Sequence, residues 1–172
     1  MKMGRGKVAG ERVRGNSEPG PQACKFCQIA SGQMDCVRVF EDQDVFVFLD
    51  HRPLFPGHCL LITRRHFRQI AELPAALVAP VFTNVRMLAV AVQKGMNAEG
   101  SFIAINNVVS QSVPHFHVHV VARRKGDGLR GFMWPRHKYA SAEEAESAGE
   151  AIRREIARLR KVKYELDASD NQ

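Results

Sequence analysis

The pattern of apolar and polar positions in the first half of the chain predicts a small β-sheet. Residues 37–41 alternate between apolar and polar side chains, and residues 45–49 form an apolar run rich in β-branched and aromatic types. The acidic stretch 41–44 between them supplies turn residues, so the two segments predict a β-hairpin. Pro53, Pro56 and Gly57 then interrupt the chain before residues 58–63, which predict a third strand.

The second half of the chain changes to a helical period. From about residue 72 to 95, apolar residues recur at intervals of three and four, and Gly95 provides a stop signal. These positions are Leu77, Val81, Val85, Leu88 and Val92, with Pro80 as a local irregularity or a late start. Residues 102–105 and 116–121 predict two more strands. Ser141–Glu144 reads as a capping box, with Ile152, Ile156 and Leu159 following at helical spacing. The order β-β-β-α-β-β-α predicts the α+β class, an antiparallel sheet with helices to one side.

Composition divides the chain into one domain with two tails. Its 172 residues suit a single core. Residues 1–23 are rich in glycine, lysine, arginine and proline without an apolar period, so they predict a disordered basic tail. Residues 24–140 then form the domain, and residues 141–172 form a C-terminal helix and tail. The net charge of +7 suits anionic partners such as phosphates, nucleotides or nucleic acid, without choosing among them.

The lack of an apolar leader and the spacing of the four cysteines together indicate the compartment that we expect. We expect no membrane span, because no apolar run approaches the roughly 20 residues that a span requires. The basic N-terminus is not followed by an apolar segment, so we expect a cytoplasmic protein. Cys24 and Cys27 are spaced for metal or redox chemistry rather than for a disulfide framework. Cys36 and Cys59 stand alone, and we expect them to be packing residues.

Three histidines at alternate positions are the strongest chemical signal in the chain. His115, His117 and His119 alternate with apolar residues, and side chains in a strand point to opposite faces in turn. The three imidazoles therefore share one face. Packed imidazoles would repel each other if protonated and contribute nothing as structure, whereas imidazole suits acid, base, nucleophilic and metal-binding roles.

The residues around these histidines resemble a known family. Residues 111–121, QSVPHFHVHVV, resemble the signature of the histidine-triad (HIT) family. Residues 48–66 match the family's nucleoside-binding strand and loop, and Cys24-x-x-Cys27 matches its zinc-binding subset. The resemblance covers roughly residues 24–123. It implies a HIT-like fold, with an antiparallel sheet of about five strands, a long helix and a C-terminal helix.

The resemblance implies a nucleotide hydrolase that works through a covalent intermediate. His117 would be the nucleophile and His119 would contact the α-phosphate, while Gln111 and Ser112 would donate to the phosphate or the leaving group. Asp50 would hold the ribose hydroxyls, in a nucleotide site completed by Phe26, Ile29, Leu49, His58 and Asn106. The substrate would be a nucleoside phosphoramidate, a dinucleoside polyphosphate or a related conjugate. The transferase and phosphorylase branches carry glutamine at the third position, so His119 favours hydrolysis.

The same resemblance implies a metal and a quaternary structure. Cys24, Cys27, His66 and His115 match the ligands of the zinc-containing members, and four protein ligands make a closed, structural site. A redox role for the Cys24–Cys27 pair is the alternative. Family members pair as homodimers through the helix and an edge strand, which covers an open sheet edge. We expect no organic cofactor.

Two segments depart from the family pattern. Residues 106–111 lack the glycine that many members carry before the Gln-Ser pair. Residues 123–138 form a basic loop with aromatic residues, which suits the leaving group's phosphates, a nucleic acid or a solvated cap of the sheet. We do not expect nucleic acid to be the main partner. Phosphorolysis and a non-catalytic nucleotide-binding module remain alternatives to hydrolysis.

Overall fold

Five antiparallel strands form one sheet in the computed structural model, which describes residues 24–129 and 139–154. The strands are β1 (Arg38–Glu41), β2 (Val45–Leu49), β3 (Cys59–Thr63), β4 (Gly100–Ala104) and β5 (His117–Arg123). Their order across the sheet is β1-β2-β3-β5-β4. Two helices accompany them, α1 (Lys25–Ala30) and α2 (Ala75–Gly95), with a short 3₁₀ turn at Ile70–Glu72. The expected α+β fold is confirmed.

Helix α2 packs on one face of the sheet, here called the helix face. Its buried side chains are Val81, Val85, Leu88 and Val92, which pack among the inward side chains of the strands, chiefly Val45, Val47, Leu61, Val118 and Val120. Spacing by three and four residues gives α2 one apolar stripe. The helix begins at Ala75 rather than at residue 72, and Pro80 lies inside it. Leu77 is only half-buried, and Leu73 is buried in the core just before the helix.

The outward side of α2 is also apolar. Val78, Phe82, Met87 and Val90 are exposed there. With 21 residues and a mean hydropathy of 1.8, α2 is long and apolar enough to cross a membrane by length and composition alone. The expectation that no apolar run approaches that length is therefore wrong for α2. Its inner stripe is buried against the sheet, as in the core helix of a globular domain.

Helix α1 covers part of the opposite face, which we call the histidine face. This face carries Phe46, Phe48, Leu60, Ile62, His117 and His119. Phe26 and Ile29 of α1 are buried against its aromatic and aliphatic residues. No side chain caps the start of α1, and six residues are too few for a helix to be stable alone. Burial of its apolar residues therefore stabilises α1, which the sequence pattern did not predict.

The chain divides into two compact units after Asp127. In the second unit, residues 142–154 are helical. Ser141 Oγ accepts a hydrogen bond of 3.2 Å from the backbone N–H of Glu144, which confirms the predicted cap. The division falls earlier than the expected boundary at residue 140. The predicted N-terminal tail, most of the basic loop, Ile156 and Leu159 lie outside the described residues.

Candidate functional site

His117 lies at the start of β5 with one ring nitrogen engaged. Its Nδ1 donates a hydrogen bond of 2.6 Å to the backbone carbonyl of His115, so Nε2 keeps its lone pair. Burial lowers the pKa of His117, although the His115 carbonyl and Asp50 oppose the shift. The imidazole is therefore neutral near pH 7. A buried neutral imidazole with a fixed tautomer is suited to nucleophilic attack.

His119 belongs to a chain of hydrogen bonds that fixes its tautomer. The backbone N–H of Leu54 donates to Nδ1 of His58 at 3.2 Å, so the proton of His58 is on Nε2. That Nε2 lies 3.0 Å from Nδ1 of His119 and donates to it. The remaining proton of His119 is therefore on Nε2, where it can donate to a ligand. Burial, assisted by repulsion from His117 and His58, lowers the pKa of His119 to about 4.

Asp50 follows β2 and lies beside this histidine pair. One carboxylate oxygen accepts the backbone N–H of Arg52 at 2.9 Å, and the other lies 3.6 Å from Nδ1 of His58. Donor atoms of Asp50, His58 and His119 all lie within 4.8 Å of one another. The Leu54 N–H occupies Nδ1 of His58, and the His58–His119 bond occupies Nε2 of His58 and Nδ1 of His119. This group is therefore a hydrogen-bonded cluster. The negative charge of Asp50 partly offsets the burial of the histidines.

The predicted nucleoside slot is apolar, with one correction. The Phe26 ring meets Phe48 and His117 edge-on, with centroids 5.5 and 5.2 Å apart. Ile29 lies in the same cluster. Leu49, however, packs against the core of the helix face, so its predicted place in the slot is wrong. Side chains alternate along a strand, so Phe48 shares the face of Asp50 while Leu49 cannot. Phe48 is the residue that sequence reasoning missed.

The loop before His115 holds the predicted phosphate donors. The Gln111 side chain donates to the carbonyls of Arg68 at 2.6 Å and His115 at 3.4 Å. The His115 carbonyl thus accepts from Gln111 as well as from His117, which brings the Gln111 side chain next to the His117 imidazole. Ser112 is exposed and Asn106 is half-buried. Among the described residues, no hydrogen bond joins either of these side chains to the histidines.

This loop turns without glycine. Val108 and Ser110 have positive φ angles of 65° and 60°. The N–H of Val109 donates to the Asn107 carbonyl at 2.7 Å, closing a three-residue turn around Val108. A γ-turn with positive φ is rare and strained, above all at a β-branched residue. Residues with side chains therefore adopt positive φ angles in this loop, where a glycine would do so without strain.

The four predicted metal ligands converge at the end of the histidine face. Donor atoms of Cys24, Cys27, His66 and His115 lie within 4.8 Å of one another. Nδ1 of His115 is 3.4 Å from Cys24 Sγ, and Nδ1 of His66 is 3.3 Å from Cys27 Sγ. In a tetrahedral zinc site, bond lengths of about 2.3 Å to sulfur and about 2.0 Å to nitrogen place these ligand atoms roughly 3.5 Å apart. The donor set and its spacing therefore fit zinc.

A second contact orients the imidazole of His115. Its Nε2 donates to the Thr63 carbonyl at 2.8 Å, which leaves Nδ1 facing the cysteines. Burial raises the pKa of the Cys27 thiol to about 11, and the neighbouring Cys24 adds to the rise. Of the other cysteines, Cys59 is buried in the core, as expected, whereas Cys36 is exposed and the packing expectation for it is wrong.

Comparison with known proteins agrees with the fold. The model of the HIT domain matches residues 31–126. The chain is 29% identical to "Adenylylsulfatase HINT3" of Arabidopsis thaliana over 139 residues, covering 79% of this chain and 71% of that protein. It is 30% identical to "Adenosine 5'-monophosphoramidase hnt1" of Schizosaccharomyces pombe, covering 78% of this chain and 98% of the relative. A zinc-bound histidine-triad protein of Mycobacterium smegmatis superimposes with a TM-score of 0.61 at 34% identity, covering 83% and 99% of the two chains.

The five-stranded sheet, the histidines at alternate positions and the Cys/His group define the class of protein, an α+β domain with a histidine triad. The family match covers more than half of the chain, so the chain belongs to the HIT family. Its relatives include one protein named as an adenylylsulfatase and one named as an adenosine 5'-monophosphoramidase.

Proposed function

We propose that this protein is a nucleotide hydrolase that cleaves at the α-phosphate through a nucleotidyl–His117 intermediate. The observation that carries the proposal is the bond from His117 Nδ1 to the His115 carbonyl, which leaves Nε2 unprotonated and nucleophilic. The substrate is a nucleoside phosphoramidate, a dinucleoside polyphosphate or a related nucleotidyl conjugate. The names of the Arabidopsis and fission-yeast relatives support an adenylyl-type conjugate.

The reaction divides into two displacements. In the first, Nε2 of His117 forms a bond to the α-phosphorus while the bond to the leaving group breaks. Nε2–H of His119 donates to the phosphate, which stabilises the charge that develops on the oxygens. In the second, water attacks the same phosphorus, the bond to Nε2 breaks with its electron pair returning to His117, and the nucleoside monophosphate leaves. The proton that water loses to the solvent balances the one that an amine leaving group takes up in the first displacement. Asp50 binds the ribose, and Gln111 and Ser112 donate to the phosphate or the leaving group after Gln111 releases the Arg68 carbonyl.

The test combines turnover with detection of the intermediate. Wild-type protein should hydrolyse at least one of a panel of adenosine and guanosine phosphoramidates and dinucleoside polyphosphates. His117→Ala should lose about 10³-fold or more in kcat/KM, and mass spectrometry of the quenched wild type should show one added nucleotidyl group. Retention of more than a tenth of the activity would contradict the nucleophile. Added inorganic phosphate would yield a nucleoside diphosphate only if the reaction were phosphorolysis.

Asp50 provides a second readout on the same substrates. Asp50→Ala should raise KM more than it lowers kcat, because a ribose contact is made alike in the ground and transition states. A defect confined to kcat would contradict a role in ribose binding.

Zinc in this proposal is structural. Cys24, Cys27, His66 and His115 would hold it with four protein ligands, leaving no open position for a catalytic water. The metal would fix α1 to the end of the sheet, because Cys24 directly precedes that helix and Cys27 lies in its first turn. It would supply binding energy that a six-residue helix lacks.

A homodimer also belongs to the proposal. Strand β4 lies at the edge of the sheet, with Ile103 44% exposed, and the outward residues of α2 are apolar. An open edge beside an apolar helix surface favours pairing with a second copy, which would extend the sheet and cover α2. Analytical ultracentrifugation at micromolar concentration should give the dimer mass, and a monomer would contradict this part of the proposal.

A further inference from the structure

The side-chain amide of Gln111 is fully engaged by the surrounding backbone. Its nitrogen donates to the carbonyls of Arg68 at 2.6 Å and His115 at 3.4 Å, and its oxygen accepts the N–H of Val108 at 3.2 Å. Both hydrogens and the oxygen of the amide are therefore in use. Gln111 cannot donate to a leaving group while it donates to the Arg68 carbonyl.

The positions of Gln111 and Val108 are coupled, because an amide group is planar and rigid. When the amide nitrogen turns away from the Arg68 carbonyl, the amide oxygen is also withdrawn from the Val108 N–H. Val108 is the β-branched residue with a φ of 65°, a conformation that stores strain. Release of the Gln111 amide therefore frees Val108 to leave its strained conformation.

Only weak forces oppose a movement of this turn. Val108 and Val109 are 69% and 79% exposed, so the turn contributes little buried apolar surface. A hydrogen bond ties it to the neighbouring segment, where the side-chain oxygen of Asn107 accepts the N–H of Ile70 at 3.0 Å. A segment with few buried contacts and with exposed hydrogen bonds opens at low cost in free energy. Opening of the turn would break the bond between Asn107 and Ile70.

The strain at Val108 makes the site respond to what a nucleotide carries beyond its α-phosphate. Gln111 lies beside His117, because both donate to the same carbonyl, and it borders an open cleft of about 280 Å³. A leaving group that accepts from Gln111 draws the amide away from Arg68. A nucleoside monophosphate has no such group and leaves the amide in place. Only the conjugate therefore gains the relief of strain as binding energy.

We propose that Asn107, Val108 and Gln111 form a strained latch, which makes the site bind nucleotidyl conjugates more tightly than the nucleoside monophosphate that the reaction releases. The latch opens for a leaving group and stays closed beside a monophosphate. The strain is present in the free protein and in the product complex, so it contributes nothing to retention of the product. This inference rests on the proposed function, which places the α-phosphate at His117 and the leaving group at Gln111.

Calorimetric titration of the whole chain, purified without chelator, tests the latch with two probes and without turnover. Adenosine 5′-(α,β-methylene)diphosphate carries a second phosphorus group that cannot be displaced, and AMP carries none. The wild type should bind the methylene analogue about fivefold or more tightly than AMP, in keeping with relief of one strained residue. Val108→Gly removes the strain before binding, so it should weaken binding of the analogue about fivefold and change that of AMP by less than about twofold.

Two further variants separate strain from flexibility. Val109→Gly is the matched control, because it places a glycine in the same turn at a position without positive φ, and it should preserve the ratio of the two dissociation constants. Asn107→Ala removes the acceptor of the Ile70 N–H and weakens the closed latch. It should therefore tighten binding of the analogue by about twofold or more and leave AMP unchanged. Val108→Gly and Asn107→Ala thus change the affinity for the analogue in opposite directions.

The outcomes separate this inference from the proposed function. Equal binding of the analogue and AMP by the wild type overturns the latch even if phosphoramidates are hydrolysed. The latch is also overturned if Val108→Gly weakens both probes alike or neither of them, and an unchanged affinity of Asn107→Ala for the analogue overturns the part assigned to Asn107. The expected pattern in a protein that hydrolyses no panel substrate supports the latch and contradicts the proposed function. Failure to bind either probe overturns both.

Discussion

Val108 offers a direct measure of the strain in the loop that carries Gln111 and Ser112. Its φ of 65° is one that glycine adopts freely and that a β-branched residue adopts at a cost. The side chain is 69% exposed, so replacing it removes little packing. Its N–H bond to Gln111 Oε1, at 3.2 Å, is a backbone donation that glycine retains. Val108→Gly therefore isolates the backbone conformation.

The expected gain follows from two opposing contributions. Relief of a sparsely populated backbone conformation contributes about 1–3 kcal/mol, and the extra freedom of glycine in the unfolded chain costs about 0.5–1 kcal/mol. Val108→Gly should therefore raise the free energy of unfolding by about 1 kcal/mol, or the melting temperature by about 4 °C. Val109→Gly is the matched control, because Val109 is 79% exposed and has no positive φ. It should lower stability by about 0.5–1 kcal/mol.

Chemical denaturation of the two variants, each compared with wild type at neutral pH, checks the sign as well as the size. Because both valines are exposed, loss of packing could not explain changes in the free energy of unfolding that have opposite signs. If Val108→Gly destabilises the protein as much as Val109→Gly does, the loop is not strained at Val108. The catalytic readout is separate, because a more flexible loop changes the position of Gln111 whatever its effect on stability.

Three further predictions concern the metal group, a buried hydroxyl and acid stability. Cys24→Ser should lose about one equivalent of zinc per chain and lower the melting temperature, whereas Cys36→Ser should keep both; metal retained by Cys24→Ser would exclude this ligand set. Thr63 Oγ1 is buried without a hydrogen-bond partner among the described residues. Thr63→Val should therefore leave stability unchanged or raise it by about 1 kcal/mol in denaturant titrations, and a loss would mean that the hydroxyl has a partner. The pKa of His119 is lowered from 6.5 to about 4. Burial of its neutral ring therefore costs no stability above pH 6.5, and the free energy of unfolding falls as the pH drops from 6.5 towards 4. His119→Gln should reduce the slope of unfolding free energy against pH in that window by at most about 1.4 kcal/mol per pH unit, and an unchanged slope would show that His119 titrates normally.

The fold was predictable where local pattern and tertiary structure agree. Strand β2 was predicted at residues 45–49, because an apolar run follows an acidic turn without ambiguity. The start of α2 was misplaced by three residues, since Pro74 rather than a polar capping side chain precedes the helix. Helix α1 was missed altogether. Six residues hold too little of a helical period to be recognised, and its stability comes from contacts distant in sequence.

The candidate site shows the same division. Cys24, Cys27, His66 and His115 were named from residue type and resemblance, and the structure brings all four together. The family resemblance placed Leu49 in the nucleoside slot, but alternation along β2 turns its side chain to the helix face, with Val45 and Val47. Outside the site, the direction of the β1 side chains could not be predicted, because it depends on a register shift between β1 and β2. A bulge of this kind leaves no signal in the alternation of β1 itself.

His115 makes metal content and reaction rate difficult to separate by experiment. Its side chain faces the cysteines, while its main-chain oxygen holds the imidazole of His117. A chelator that removed an ion from the cysteines would leave the His115 ring held only by its bond to the Thr63 carbonyl, and the main-chain carbonyl of the same residue would move with the less restrained ring. The rate would then fall although the ion never touches the phosphate. Inhibition by a chelator would accordingly be no evidence for a metal-dependent reaction in this protein.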